Sequence, residues 1–354
     1  MVRQWQAMLI VSFSALMLAG AALGSSPSGD GLPADTWVAR VDGEPLSARL
    51  FERRLIRNRS DAYRYFRQKY GVADSAGFWT TPHDGDTPLD WLRTRTLAEC
   101  VRMLVEQKLA LGHGVVADTS YSAFLSALAR ENERRRRAVA AHQPVYGPEQ
   151  YDEDEYFDYC LANTVIELKR RLGAGELAAS DDVLRQRYEE SKAALYDRGD
   201  RVVVLAVRVP FSSSSGGSSA PADAKQLASE VRDKLAADAT AESIESACGY
   251  RASVEELVFD DATARADGTV RPLARGEAME LAPGQVSPVF HERGSSWVMK
   301  CLSRQPLGYR PLDEVKDNVR SRYVDERYEA LVADLVSRAS VEINREVYDA
   351  VKVR

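Results

Sequence analysis

Three things are scarce in this sequence of 354 residues: excess basic charge, metal-ligand spacing and long apolar runs. Lys and Arg number 47 against 53 Asp and Glu, a net charge of -6, which argues against a nucleic-acid binder because such proteins carry a basic excess. The run Arg134-Arg135-Arg136-Arg137 is the one exception. Glu131, Glu133, Glu149 and Asp152 flank it, so it reads as a solvated helix face. The four cysteines, Cys100, Cys160, Cys248 and Cys301, form no CxxC, and the four histidines, His83, His113, His142 and His291, lie far apart. Neither set suggests a metal site, and no cofactor is expected. Cys100 and Cys160 fall in helical apolar patterns, where a free cysteine acts as a small hydrophobe. Cys248 and Cys301 are open to pairing in an exported protein, which sequence cannot decide. No internal repeat is present.

The apolar run from Met8 to Leu23 is shorter than the ~20 residues a membrane span needs. With Arg3 before it and Ala22-Leu23-Gly24 after it, residues 1–24 read as a secretory signal, cleaved before Ser25. Membrane attachment is expected only if that segment stays uncleaved. No cysteine follows it to take a lipid. The Ser, Gly, Pro and Asp of residues 25–36 make a flexible leader, too polar to order itself. What remains, about 330 residues, is enough for two domains.

In order, Trp37–Val41 alternates as a short strand and Asp42-Gly43 turns it. Ser47 is a candidate N-cap for a helix carrying Leu50, Phe51 and Leu55. A tyrosine-rich helix with Tyr63, Tyr65, Phe66 and Tyr70 follows, closed by Gly71. Residues 72–88 read as a loop presenting Phe78 and Trp79. Further helices are expected over 89–111, 120–141 and 151–172, with breaks at Pro144, Gly147 and Pro148. Ser180-Asp181-Asp182 opens another, because hydroxyl and carboxylate side chains favour the positive end of a helix. The β-branched run 201–209 reads as a central strand and Ser212–Ser219 as a Ser/Gly linker. Helices follow at 222–237 and 241–248. Residues 249–269 give no clear pattern beyond a short strand at 254–259. A last long helix covers 312–341.

Between these lies EAMELAPGQVSPVFHERGSSWVMKCLSR, residues 277–304. A short helix stops at Pro283-Gly284, and two strands, one begun by Val286, Pro288 and Phe290 and one over Trp297–Leu302, form a hairpin. Leu281-Ala282-Pro283-Gly284-Gln285-Val286-Ser287 resembles the L-x-P-G-x-V-S element near the end of a parvulin-type peptidyl-prolyl isomerase domain. The strings VARVDGEPLSARLFERRL and AECVRMLVEQKLAL resemble the helical lobe of the SurA and PrsA families of exported foldases. SDDVLRQRYEESKAALY resembles the helix leading into their parvulin module.

This resemblance implies an α+β chain: a discontinuous helical chaperone lobe (37–198, with 306–354 supplying a helix that returns to it) and an inserted parvulin-like β/α domain at 199–305. It implies a periplasmic or cell-envelope location and unfolded or newly exported polypeptides as partners. The pocket positions carried over are Ala206 and Trp297, where parvulins place histidines, and Met279, where they place the aromatic floor. Both imidazoles are therefore missing. His291, in the hairpin turn, reads as a surface residue. The expected function is a chaperone that holds exported chains, with Phe78, Trp79 and Tyr151 as candidates for its cradle and ordinary core packing as their alternative reading. The competing function is an active peptidyl-prolyl cis-trans isomerase working through its apolar cup. A purely structural envelope protein would leave the hairpin motif unexplained.

Overall fold

The computed structural model describes residues 36–211 and 220–353. The expected signal, the leader up to residue 35 and the linker at 212–219 lie outside them. The chain is α+β and divides into two compact units, Met1–Ala179 with Ser321–Arg354, and Ser180–Arg320.

The first unit begins with β1 (Trp37–Val41) and β2 (Glu44–Ser47), joined at Asp42-Gly43, where both residues have positive φ. The two expected helices that follow are one, α1 (Ala48–Tyr70). Ser47 Oγ accepts from the Leu50 amide at its start, and Gly71 closes it at φ 69°, a left-handed value that glycine takes at little cost. α2 (Pro88–Gly112), α3 (Tyr121–Ala140) and α4 (Glu153–Ala174) complete the helical layer. Asp152 and Glu155 form a capping box at the start of α4. Charged pairs tie α1 to α4: Arg53 to Asp154 and Arg54 to Asp158.

The second unit holds α5 (Asp181–Leu195), β3 (Asp200–Pro210), α6 (Pro221–Ala236), α7 (Ala241–Cys248), β4 (Ser253–Phe259), α8 (Ala264–Val270), α9 (Pro272–Glu280), β5 (Phe290–Glu292) and β6 (Ser295–Pro306). Its sheet is antiparallel, ordered β4-β3-β6-β5. Both faces of β3 are covered, which is why residues 202–209 are almost continuously apolar. Val202, Val204 and Ala206 face the α9 side with Phe259, Met299 and Cys301. Leu205 and Val207 face α6 and α7 with Val231, Leu235 and Ile244. The short strand expected at 254–259 is β4, and the unpatterned residues after it supply α8. The first hairpin strand is shorter than expected, because Val286 makes only an isolated bridge to Lys300.

The division between units falls inside α10 (Leu312–Arg338). This helix stops three residues earlier than expected, and β7 (Val341–Ile343) and α11 (Arg345–Ala350) follow. β7 pairs with β1, giving the order β2-β1-β7, and buried Arg93 donates to the carbonyls of Asp349 and Val351.

Three expectations are corrected and one open question is closed. Phe78 is not presented to solvent: it is 1% exposed and stacks on Tyr63, while Trp79 packs against the core beside it. Tyr151 is half-buried under a guanidinium. The arginine run is solvated at three positions only. Arg135 is 4% exposed and donates to Glu131, to the carbonyls of Tyr146 and Pro148 and to the Tyr151 hydroxyl. Cys248 and Cys301 cannot pair, because they are free thiols on opposite faces of the same sheet.

Candidate functional site

The L-x-P-G-x-V-S element works as an edge to β6. Gly284, at φ 82°, turns its amide onto the Cys301 carbonyl at 2.8 Å, and Gln285 accepts from the Cys301 amide at 2.9 Å. Ser287 is fully buried. Its amide donates to the Met299 carbonyl and its hydroxyl accepts from the Met299 amide at 3.0 Å. The fixed residues of the motif are thus backbone devices: proline to stop α9, glycine for the turn, serine to satisfy a buried amide.

α9 is clamped at both ends. The buried Glu292 carboxylate accepts from the amides of Leu273 and Ala274 at its N-terminus, at 2.9 and 3.2 Å. Arg304, held by Asp200, donates to the carbonyls of Met279 and Leu281 at its C-terminus, at 2.9 and 3.0 Å. Each charge sits at the helix end whose partial charge it opposes.

This scaffold brings Ala206, Met279 and Trp297 to one apolar cluster. Ala206 is fully buried, opposite Met299 on one side and Glu255 on the other. Trp297 is 6% exposed, stacks on Phe290 and donates its indole N–H to the Glu292 carbonyl at 3.3 Å. Met279 is half-buried against them. The exposed Arg208, opposite Trp297, places its guanidinium 5.8 Å from the indole and bonds Ser253. His291 is on the other face. Its Nδ1 lies 3.1 Å from Ser296 Oγ and its ring meets Phe211 edge-on, while its strand neighbour Phe290 faces Trp297. Burial pushes the Cys301 thiol up, so it is a protonated packing group. The cluster therefore offers a methyl, a thioether and an indole whose N–H is already used. None of these can exchange a proton near neutral pH.

The first unit contains a cleft of about 590 Å³ between α1, α2, α3 and α4. Leu50, Leu104, Phe124 and Phe157 form its apolar walls, and Arg130, Asp118 and Tyr159 stand among its polar lining. The Ser120 amide at 2.7 Å holds the Asp118 carboxyl below its usual range, so it is ionised. Burial raises the Cys160 thiol and pushes Tyr156, beneath Tyr159, up to about 12. Sequence reasoning missed this cleft. The helical spacing of Phe124, Leu125 and Leu128 was visible, but an apolar stripe does not say where its neighbours leave a gap. No described helix is long and apolar enough to cross a membrane, and no cluster of three or more metal-type ligands occurs among the described residues.

No family model matches the chain. It is 32% identical over 130 residues to the chaperone for lacto-N-biosidase of Bifidobacterium longum, a stretch covering 36% of this chain and 45% of that one. The match thus spans less than half the length of this curated relative. Among solved structures, it is similar to a SurA-like chaperone of Campylobacter jejuni, with 13% identity, 88% of this chain and 100% of that one covered, and a TM-score of 0.31. It is also similar to the foldase PrsA of Streptococcus pneumoniae, with 13% identity, coverage of 77% and 94%, and a TM-score of 0.24. TM-scores of that size do not establish a shared topology, so residue roles are taken from this chain's own geometry.

Proposed function

We propose that this chain is an exported chaperone that holds unfolded or newly secreted polypeptides, and that its sheet unit is a parvulin-like insert that twists X-Pro bonds weakly or not at all. The observation that carries this reading is the chemistry of the cluster around Ala206, Met279 and Trp297. Rotation about an X-Pro bond needs the amide to lose conjugation, against a barrier of roughly 18–20 kcal/mol. Polar groups that stabilise the twisted amide lower such a barrier, and an apolar cup alone only grips the ring. With alanine and tryptophan where the resemblance asks for imidazoles, the polar assistance is gone, and both side chains are themselves buried in the core of the sheet unit. The relative from Bifidobacterium longum serves one enzyme as its chaperone, which supports a polypeptide client here.

The test follows the cis-trans relaxation of a proline-containing peptide with and without the full chain, and in parallel the light scattering of a denatured protein diluted into buffer. The expected outcome is suppressed scattering at stoichiometric chain with no change in relaxation rate. Acceleration that disappears in Met279→Glu would establish the isomerase instead.

A further inference from the structure

We propose that the cleft between α1, α2, α3 and α4 seats an extended client segment carrying an acidic side chain, and that Arg130 reads that side chain. This deepens the holding function above and rests on it.

The cleft's volume, about 590 Å³, falls within the roughly 300–1,000 Å³ of pockets that bury a ligand. Its walls are apolar at Leu104, Phe124 and Phe157, and Tyr159 stands half out of them, 50% exposed. Such walls suit the apolar side chains of an unfolded polypeptide, which a folded protein would keep inside.

Its charges are asymmetric. On α3, Arg134, Arg135, Arg136 and Arg137 each have a glutamate, Glu131 or Glu133. Arg130, on the same helix and in the cleft lining, is exposed and makes no ion pair among the described residues. The cleft's own carboxylate, Asp118, faces the backbone amide of Ser120. The free cation beside apolar walls is complementary to a segment of apolar residues with a carboxylate among them. Arg130's planar guanidinium can take that carboxylate through two parallel hydrogen bonds.

The experiment measures fluorescence anisotropy of a short leucine-rich peptide with a central glutamate, and of its lysine counterpart, on the full chain. The wild-type chain should bind the glutamate peptide roughly fivefold more tightly, the size of one exposed ion pair. Arg130→Gln should remove the preference and Arg130→Glu should reverse it, with unchanged circular dichroism, since Arg130 is exposed and makes no ion pair among the described residues. Ala127→Trp, which fills the cleft from α3, should weaken both peptides. Laurate is the competing occupant: if it binds with the same dependence on Arg130 while neither peptide binds, the polypeptide assignment falls. If the variants bind both peptides as the wild type does while scattering is still suppressed, the cleft is wrong and the holding function stands. If the wild-type chain neither binds the peptides nor suppresses scattering, the holding function fails, and this site with it.

Discussion

Arg135→Met should destabilise the first unit by about 3 kcal/mol, far more than any of its arginine neighbours. Methionine keeps most of the stem's volume, so the change isolates the guanidinium. Four partners lose it. The Tyr146 and Pro148 carbonyls, at 3.0 and 2.6 Å, lose their donor, as does the Tyr151 hydroxyl at 3.0 Å. The Tyr151 ring, 4.1 Å away, loses a stacked cation worth about 1 kcal/mol. Each orphaned carbonyl costs about 1–3 kcal/mol when dry. Tyr146 is 88% exposed and Pro148 is exposed as well, so water will reach both carbonyls, and the lower end of that range applies to each. Glu131 keeps Arg134 and remains paired. Scanning calorimetry should show the unit's transition falling by about 6–12 °C, at 2–4 °C per kcal/mol for a body of this size. Hydrogen exchange should rise first in residues 141–151. Arg136→Met, which loses only an exposed pair with Glu133, serves as the control and should move the transition by less than about 2 °C. A fall for Arg135→Met no larger than the control's would refute the account of Arg135 as the pin of this loop.

Asp42 predicts an acid-sensitive seam. Its carboxyl is held below the ordinary value of 3.8, first by the Ser340 amide and then by Lys108. A depressed pKa contributes stability that is present above the unfolded value and lost as pH falls through the folded one, so Asp42→Asn should cost about 0.5–1 kcal/mol at pH 7 and progressively less below pH 4, read from urea midpoints across pH. Gly284→Ala should destabilise the second unit by about 1 kcal/mol through backbone strain alone, because φ is 82° and nothing lies within 4 Å of an added Cβ; an unchanged melting temperature would show that the turn relaxes freely.

The legible part of the fold was the part written in short-range rules. Ser47 and Gly71 marked helix ends because capping is a matter of a few neighbouring atoms. The run 201–209 announced a central strand because its residues are β-branched and apolar almost without a break. β7 was invisible. Val341–Ile343 is three residues long and owes its conformation to β1, whose pairing brings it together across three hundred residues of sequence. Phe78 misled for the same reason: in the sequence it stands among Gly, Pro and Asp, and its ring contacts with Tyr63 and Phe66 of α1 show that it is covered.

Arg135 and Arg130 show where reading by residue type ends. The two lie on one helix, five residues apart, and the solvated-face reading of the run 134–137 covered Arg135 and left Arg130 without a role. A loop bent by Gly147, at φ 84°, brings two carbonyls to Arg135 and turns it into an internal strut. Arg130 makes no ion pair among the described residues, and its charge stands beside an apolar cleft. A charged side chain buried against backbone is fixed by what it satisfies, whereas an exposed one at the mouth of an apolar gap can act only on what arrives. Substituting the first should therefore move the melting temperature and leave the ratio of affinities for the acidic and basic peptides unchanged. Substituting the second should do the reverse, and a chain in which both changes moved the same observable would mean that the strut and the cleft are a single device.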